Sequence, residues 1–362
     1  MSKKDDIQKI YREVFNDSPE YVKMLFDAIY TDREGMLLAG PDGQPASIML
    51  LRDFEMSFHG SRVPVAYIHG AATRRSQRGK GLMSRLIVDA IRQAASRGDM
   101  MVTLIPANNA LYYFYAQYGF NTVFYMKEQR FTSLHSFTDG EDAGHVYHAA
   151  TDIDHDRLWE AFNRFQLARQ CYILHSREGF RAILEDNRID GGDFVVMTRD
   201  DEDLGPQIVS MAWAVKRDDL LVVTDLMGDD RAARMAAMRQ LRALHPDMPF
   251  LLYAPPTDST GGRLMPRGMG RIVNVLKCLQ AVASADKNLS LKIKVYDDYL
   301  SALNSHTYII DRGEVRIDDS YRGRLDFDIT VDVLSSIVFN SKAISDIIGF
   351  PSVRPMISLM LD

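Results

Sequence analysis

A chain of 362 residues, 46% hydrophobic and 25% charged, has the composition of a globular protein with a sizeable core and is too long for one domain of about 150 residues. Its formal net charge of −6 argues against a nucleic-acid partner and suits a cationic substrate, and no apolar run approaches the ~20 residues that span a bilayer. Two cysteines, Cys171 and Cys278, lie far apart within apolar stretches and read as buried thiols rather than a disulfide framework.

The opening Met1-Ser2-Lys3-Lys4-Asp5-Asp6 begins a polar helix rather than a signal peptide, which predicts a cytoplasmic protein. Helices are expected over 7–15 and 21–30. On the second, Phe26 and Tyr30 share a face that either packs in the core or lines a substrate pocket. Strands follow over 35–39, 46–53 and 65–73. The last runs into Arg74-Arg75-Ser76-Gln77-Arg78-Gly79-Lys80-Gly81-Leu82, and an amphipathic helix begins at once, with Met83, Leu86, Ile87, Ala90, Ile91 and Ala94 on one face. A strand that delivers a glycine turn to a helix N-terminus aims unpaired N–H groups and the positive end of the dipole at one spot, which suits a pyrophosphate. Gly79 and Gly81 allow close backbone approach, and Arg78 and Lys80 supply positive charge. The turn is neither a P-loop nor the three-glycine dinucleotide fingerprint.

A strand over 100–105 then leads through Pro106-Ala107-Asn108-Asn109 into a helix that ends Tyr112-Tyr113-Phe114-Tyr115-Ala116-Gln117-Tyr118-Gly119-Phe120. With these two motifs the chain resembles the GNAT acetyltransferases. Their acetyl-CoA motif reads Arg/Gln-x-x-Gly-x-Gly/Ala, and a later helix ends Tyr-x-x-x-Gly-Phe. Arg78-Gly79-Lys80-Gly81 matches the first four positions, while Met83 departs from the small last one. The resemblance implies acetyl-CoA as co-substrate, held by the turn from Arg78 to Leu82. The pantetheine arm would lie along the preceding strand against the backbone of Ala71 and Thr73. Asn109 either reaches the far side of the arm or caps its helix. Counting back four residues from Gly119, the resemblance makes Tyr115 the general acid; Tyr112, one turn earlier, is the second choice.

A strand over 120–131 closes this block, and the polar stretch 138–144 reads as a linker. The second block repeats the order: helices over 157–167 and 177–184, strands over 194–199, 208–216 and 220–225, a helix over 231–244 and a strand over 250–253. Its counterpart of the glycine turn, Asp225-Leu226-Met227-Gly228-Asp229-Asp230, is acidic and would repel a pyrophosphate. Asp200-Asp201-Glu202-Asp203 before Gly205-Pro206 reads as a charged hairpin connection. His145, His148 and His155 with their neighbouring aspartates match no zinc spacing, so no metal is expected.

The third block carries strands over 289–295, 308–310, 314–317 and 325–329, and a helix from residue 334. It resembles a sterol-carrier-like domain, and 268–275 resembles the joint leading into it. The whole chain is therefore similar to the enhanced intracellular survival (Eis) acetyltransferases. The fold class this implies is α/β (α+β): two tandem GNAT-type folds followed by a sterol-carrier-like domain. The implied domains are a catalytic one over 1–145, a second without a CoA site over 146–286, and a third over 287–362. The resemblance also implies a small primary amine as acceptor, an aminoglycoside, a polyamine or a lysine-like group, and assembly as a hexamer. In this family the terminal carboxylate acts as base. The terminal residue here is Asp362, where the family has an aromatic. Two rivals remain open: a non-catalytic protein that binds CoA or a lipid, and transfer of another acyl group such as propionyl.

Overall fold

The computed structural model describes residues 2–138, 145–339, 350–351 and 353–361; all of the expected linker 138–144 except Thr138, and Asp362, lie outside them. Contacts divide the chain into two compact units, Met1–Phe124 with Pro266–Pro355, and Tyr125–Met265 with Met356–Asp362. Among the described residues no helix is long and apolar enough to cross a membrane, and no group of three or more His, Cys, Asp or Glu is placed to hold a metal.

The first unit opens with α1 (Lys3–Val14), started by a capping box between Ser2 and Asp5, and buries Ile7, Ile10 and Tyr11. The single helix expected over 21–30 is in fact α2 (Pro19–Met24), capped by Ser18, followed by a π-helical turn over Leu25–Ile29. Strands β1 (Gly35–Ala39), β2 (Pro45–Phe58) and β3 (Ser61–Thr73) form an antiparallel meander. The β2–β3 hairpin is longer than expected because His59 and Gly60, at φ 48° and 76°, form a two-residue turn whose twist matches its strands. Next come α3 (Leu82–Arg97), stopped by Gly98 in the left-handed region, then β4 (Met101–Leu104), α4 (Asn109–Ala116) and β5 (Asn121–Phe131).

The second unit holds β6 (Tyr147–Ala149), α5 (His155–Leu167), β7 (Ile173–Leu174), α6 (Arg177–Ile189), β8 (Asp193–Asp201), β9 (Gly205–Arg217), β10 (Leu220–Gly228), α7 (Arg231–Leu244) and β11 (Phe250–Ala254). Its sheet runs β5-β11-β10-β9-β8-β6. The acidic run begins inside β8, where Asp200 and Asp201 pair with Pro206 and Gly205 of β9, and only Glu202 and Asp203 of it lie in the hairpin connection. Cys171 and Cys278, one in each unit, are buried free thiols.

The chain then returns to the first unit. There β12 (Arg263–Ile272), read from the sequence as a joint, is a strand antiparallel to β4. It completes the order β1-β2-β3-β4-β12. Gly270 is required there: a Cβ would come within 2.4 Å of Met101 and 2.8 Å of Val123. After α8 (Val275–Ala285) come β13 (Leu291–Tyr296), α9 (Ser301–Asn304), β14 (Thr307–Asp311), β15 (Glu314–Ile317), β16 (Phe327–Thr330) and α10 (Val331–Phe339). These strands form a separate sheet, β15-β14-β13-β16.

One arrangement occurs twice. An antiparallel hairpin (β2–β3, β9–β10) is followed by a helix (α3, α7) and by a strand parallel to the hairpin's second arm (β4, β11). In each copy that second arm carries one extra residue, a β-bulge, close to where the parallel pairing stops. The chain is thus an α/β protein built on a tandem repeat.

Candidate active site

Parallel pairing of β3 with β4 lasts only from Val65↔Met101 to Tyr67↔Thr103. Beyond it the bulge falls at Gly70 and Ala71, and Gly70 takes φ 59°. Only glycine fits, because a Cβ would sit 2.8 Å from the Tyr11 ring. From Ile68 to Thr73 the strand therefore keeps its β2 neighbour but has lost β4. The Arg74 N–H turns toward β2 and donates to Ala46 O at 2.9 Å. Strand amides alternate, so Thr73 and Ala71 present their backbone groups to the vacated edge.

That edge ends in the glycine turn. A 3-10 turn over Arg75–Gln77 precedes Gly79 and Gly81, at φ 75° and 73°, and Gly81 caps α3 with no side chain taking up the helix's first N–H groups. Residues 78–81 are exposed, and a Cβ at Gly79 or Gly81 would meet no atom within 4 Å. Arg78 Nε donates to Thr73 O at 3.2 Å and Lys80 Nζ to Gln77 Oε1 at 2.8 Å. Neither cation is paired with a carboxylate among the described residues. Leu82 is buried and roots the helix in the core.

The tyrosine helix meets this turn directly. The Tyr118 hydroxyl bonds Ser84 Oγ, in the first turn of α3, at 2.6 Å. Tyr115 is 6% exposed and belongs to one apolar cluster with Ile68, Leu86, Ile87 and Leu104, against which Ala71 and Met83 also pack. Burial pushes its phenol up to about 12. Tyr112 is half-buried and Tyr113 is 78% exposed.

Sequence reasoning missed what holds the end of α4. Arg271, fully buried on β12, donates from Nε to Tyr118 O at 2.8 Å and pairs with Asp297 at 2.5 Å. Asp297 also accepts from the N–H groups of Tyr299 and Leu300 and from Asn304 Nδ2. Removing one partner of such a pair strands a buried charge. Arg271→Met is therefore expected to cost about 3–5 kcal/mol of stability in chemical denaturation. A loss below about 1 kcal/mol would show that Asp297 is satisfied without it.

Asn108, rather than Asn109, caps α4, accepting from the Leu111 N–H at 3.3 Å; Asn109 is its exposed first residue. The cap falls one residue earlier because Asn108 has extended backbone, which aims its side chain back at the helix. Phe26 is 1% exposed and stacks on Tyr30, with ring centroids 5.6 Å apart, while the Tyr30 hydroxyl donates to Asp32 at 2.8 Å. His69, two residues before Ala71, was also missed. Burial, with a smaller contribution from Arg52, pulls its imidazole down to about 3, so it is neutral, and its buried Nε2 has no partner among the described residues.

In the second unit the chain's last described residues are tied down. The Met356 N–H donates to Cys171 O at 2.8 Å, and the Ile173 N–H to Met356 O at 3.3 Å. Ser358 Oγ donates to Asp225 at 2.6 Å and lies 2.8 Å from the Tyr172 hydroxyl, while Ser358 O meets His175 Nε2 at 3.0 Å. Met356, Ile357, Met360 and Leu361 are buried. Leu359 and Leu361 hold φ 56° and 64°, a conformation that costs leucine about 1–3 kcal/mol and persists only where its surroundings enforce it.

A family model for the acetyltransferase (GNAT) domain matches residues 1–123, which contain β3, the glycine turn and α4. No curated protein matches the chain. Among solved structures it is similar to Eis1 from Mycobacterium abscessus (15% identity, TM-score 0.73, covering 96% of this chain and 89% of that one). It is also similar to a GCN5-related N-acetyltransferase from Anabaena variabilis ATCC 29413 (16%, 0.74, 98% and 95%). A third, from Kribbella flavida, is again a GCN5-related N-acetyltransferase (16%, 0.73, 100% and 96%). At these identities the likeness is one of fold. The fold is the GNAT-type fold in tandem, and the acetyltransferase-domain match lies within its first copy.

Proposed function

We propose that the chain transfers an acetyl group from acetyl-CoA to a small primary amine. The observation that carries this reading is the β3 edge, released from β4 after Tyr67 and leading straight into an uncapped glycine-basic turn. The pyrophosphate would rest on the N–H groups of residues 79–82 with Arg78 and Lys80 beside it. The pantetheine arm would pair with Ala71 and Thr73 as an added strand, with Asn109 on its far side.

The acceptor nitrogen attacks the thioester carbonyl carbon, and the resulting oxyanion is met by N–H groups of the strand edge. Collapse breaks the C–S bond. Tyr115 gives its proton to the departing thiolate, and the new ammonium centre loses one proton to a base, leaving an amide and CoA with a free thiol. An amine of lysine-like pKa is neutral only about once in a few thousand molecules at pH 7, so a base is needed before attack as well. We propose the carboxylate of Asp362 for that role; the segment before it is anchored on Cys171, Tyr172, His175 and Asp225 of its own unit, as a fixed chain end requires. Tyr30, polar-tipped and half-exposed over buried Phe26, is our candidate wall of the acceptor pocket. The remaining assignments follow the same reading: a catalytic block over 1–145, a second GNAT-like block over 146–286 without a pyrophosphate site, a sterol-carrier-like block over 287–362 with its own sheet, and a homo-oligomeric assembly.

The test is thiol release from acetyl-CoA against a panel of polyamines, aminoglycosides and lysine peptides, with the native chain and with one lengthened after Asp362. Release with at least one amine is expected, and its loss in the lengthened chain. No release with any amine would overturn acetyl transfer to amines. Full release by the lengthened chain would overturn only the role of the terminus.

A further inference from the structure

The second copy of the splayed strand pair borders a cavity of about 920 Å³, and every residue lining it belongs to the second unit. A cavity of this size accommodates a whole small-molecule ligand. Pairing of β10 with β11 ends at Val223↔Leu252, next to the bulge in β10, and the space opens beyond it.

The turn at its end differs from that of the first unit. Asp230 caps α7, its Oδ1 accepting the Ala233 N–H at 2.8 Å, and Asp229 pairs with Arg164. The helix N-terminus that would hold a pyrophosphate is therefore already occupied by a carboxylate. The side chains lining the cavity nevertheless carry five arginines against two aspartates. Arg164 is neutralised by Asp229, and Arg169 by Asp225 at 2.6 Å. Three remain available: Arg231, exposed and without an acidic partner among the described residues; Arg130, whose nearest carboxylate, on Glu128, is 3.9 Å away; and Arg234. The stem of Arg234 fills the place of a side chain at Gly228, with Cγ 2.9 Å from where a Cβ would be, and its guanidinium donates to Gly228 O at 3.1 Å. Apolar walls face these cations: Phe165, Leu226 and Leu252 are buried, and Met235 is half-buried.

We propose that this cavity binds an amphipathic anion, a hydrocarbon chain bearing one carboxylate or phosphate, with the head group on Arg231, Arg234 and Arg130 and the chain along the apolar walls. Guanidinium groups bind either head in the same forked manner, and apolar walls reward the tail in proportion to the area covered. The proposal does not depend on acetyl transfer in the first unit.

The test titrates the full chain calorimetrically with decanoate, decyl phosphate and decanol. Saturable one-to-one binding of an anion is expected, at least roughly tenfold tighter than decanol, and the preferred anion identifies the head group. Arg231→Glu should weaken the anion by roughly tenfold or more while acetyl-CoA binding and turnover stay unchanged. A glutamate in the first turn of α7 suits the helix dipole, so the fold should tolerate it. Arg130→Glu, on strand β5, gives an independent check. Three outcomes would overturn the proposal: no saturable anion binding, decanol bound as tightly as the anions, or undiminished affinity in both variants. Loss of decanoate binding in Gly81→Val would also overturn it, by moving the site to the first unit.

Discussion

Tyr115→Phe is expected to lower kcat by roughly 10²–10⁴ while acetyl-CoA affinity is unchanged. The ring stays where it is, edge-on to Phe114 and Phe120 at centroid distances of 5.4 and 5.8 Å. Its hydroxyl makes no hydrogen bond to a described residue, so removing it strands no partner and the melting temperature should hold. Because burial pushes the phenol up to about 12, the proton is in place at neutral pH and remains there well into the alkaline range. The kcat profile should therefore show no falling limb from this group below about pH 10. A limb centred near about pH 8 that disappears in Tyr115→Phe would identify a different environment for the acid. Tyr112→Phe is the control and should cost far less. If it costs more, the acid lies one helical turn earlier.

Gly81→Val should abolish acetyl-CoA binding, read by calorimetry, in a chain that still folds. Two effects are separable. A left-handed φ of 73° is costly for any side chain, by about 1–2 kcal/mol, and more for a β-branched one. The space around the position is open, so the protein itself makes no clash with the new atoms. What the isopropyl group would occupy is the approach to the N–H groups of the turn. Gly81→Ala carries the backbone cost with little bulk and should lose affinity only partly. Equal affinity of Gly81→Val and the native chain would move the pyrophosphate elsewhere. In the native chain, saturation at one CoA per chain is expected, because Asp229 and Asp230 stand where the second copy would need its anion site.

Much of the architecture was legible because it is local. The periodicity over 231–244 coincides with α7 to the residue, since Asp230 before it is a strong cap and the apolar face recurs every three to four positions. The strand, glycine turn and helix around residue 80 were equally plain, as was the tandem order of elements. Local signals were ambiguous in two places. The polar stretch 185–188 hid the end of α6, although Asn187 is buried there. The cap of α4 fell on Asn108 rather than on Asn109, because the backbone turns helical one residue earlier than expected.

The sequence by itself determined that a glycine-basic turn follows one strand, that a tyrosine-bearing helix follows the next, and that the second copy has an acidic turn in its place. Glycine placement, capping residues and hydrophobic period act over a few residues and leave their mark in order. Only the tertiary structure decided that β4 leaves β3 after Tyr67, that β12 joins as a strand, and that Arg271 holds Tyr118 across 153 positions. It alone ties Ser358 to Asp225 across 133 positions and lines a cavity with arginines drawn from β5, α5 and α7. These contacts join residues far apart in the chain, and their stability comes from desolvating and pairing groups that folding brings together. No spacing along the sequence encodes that meeting.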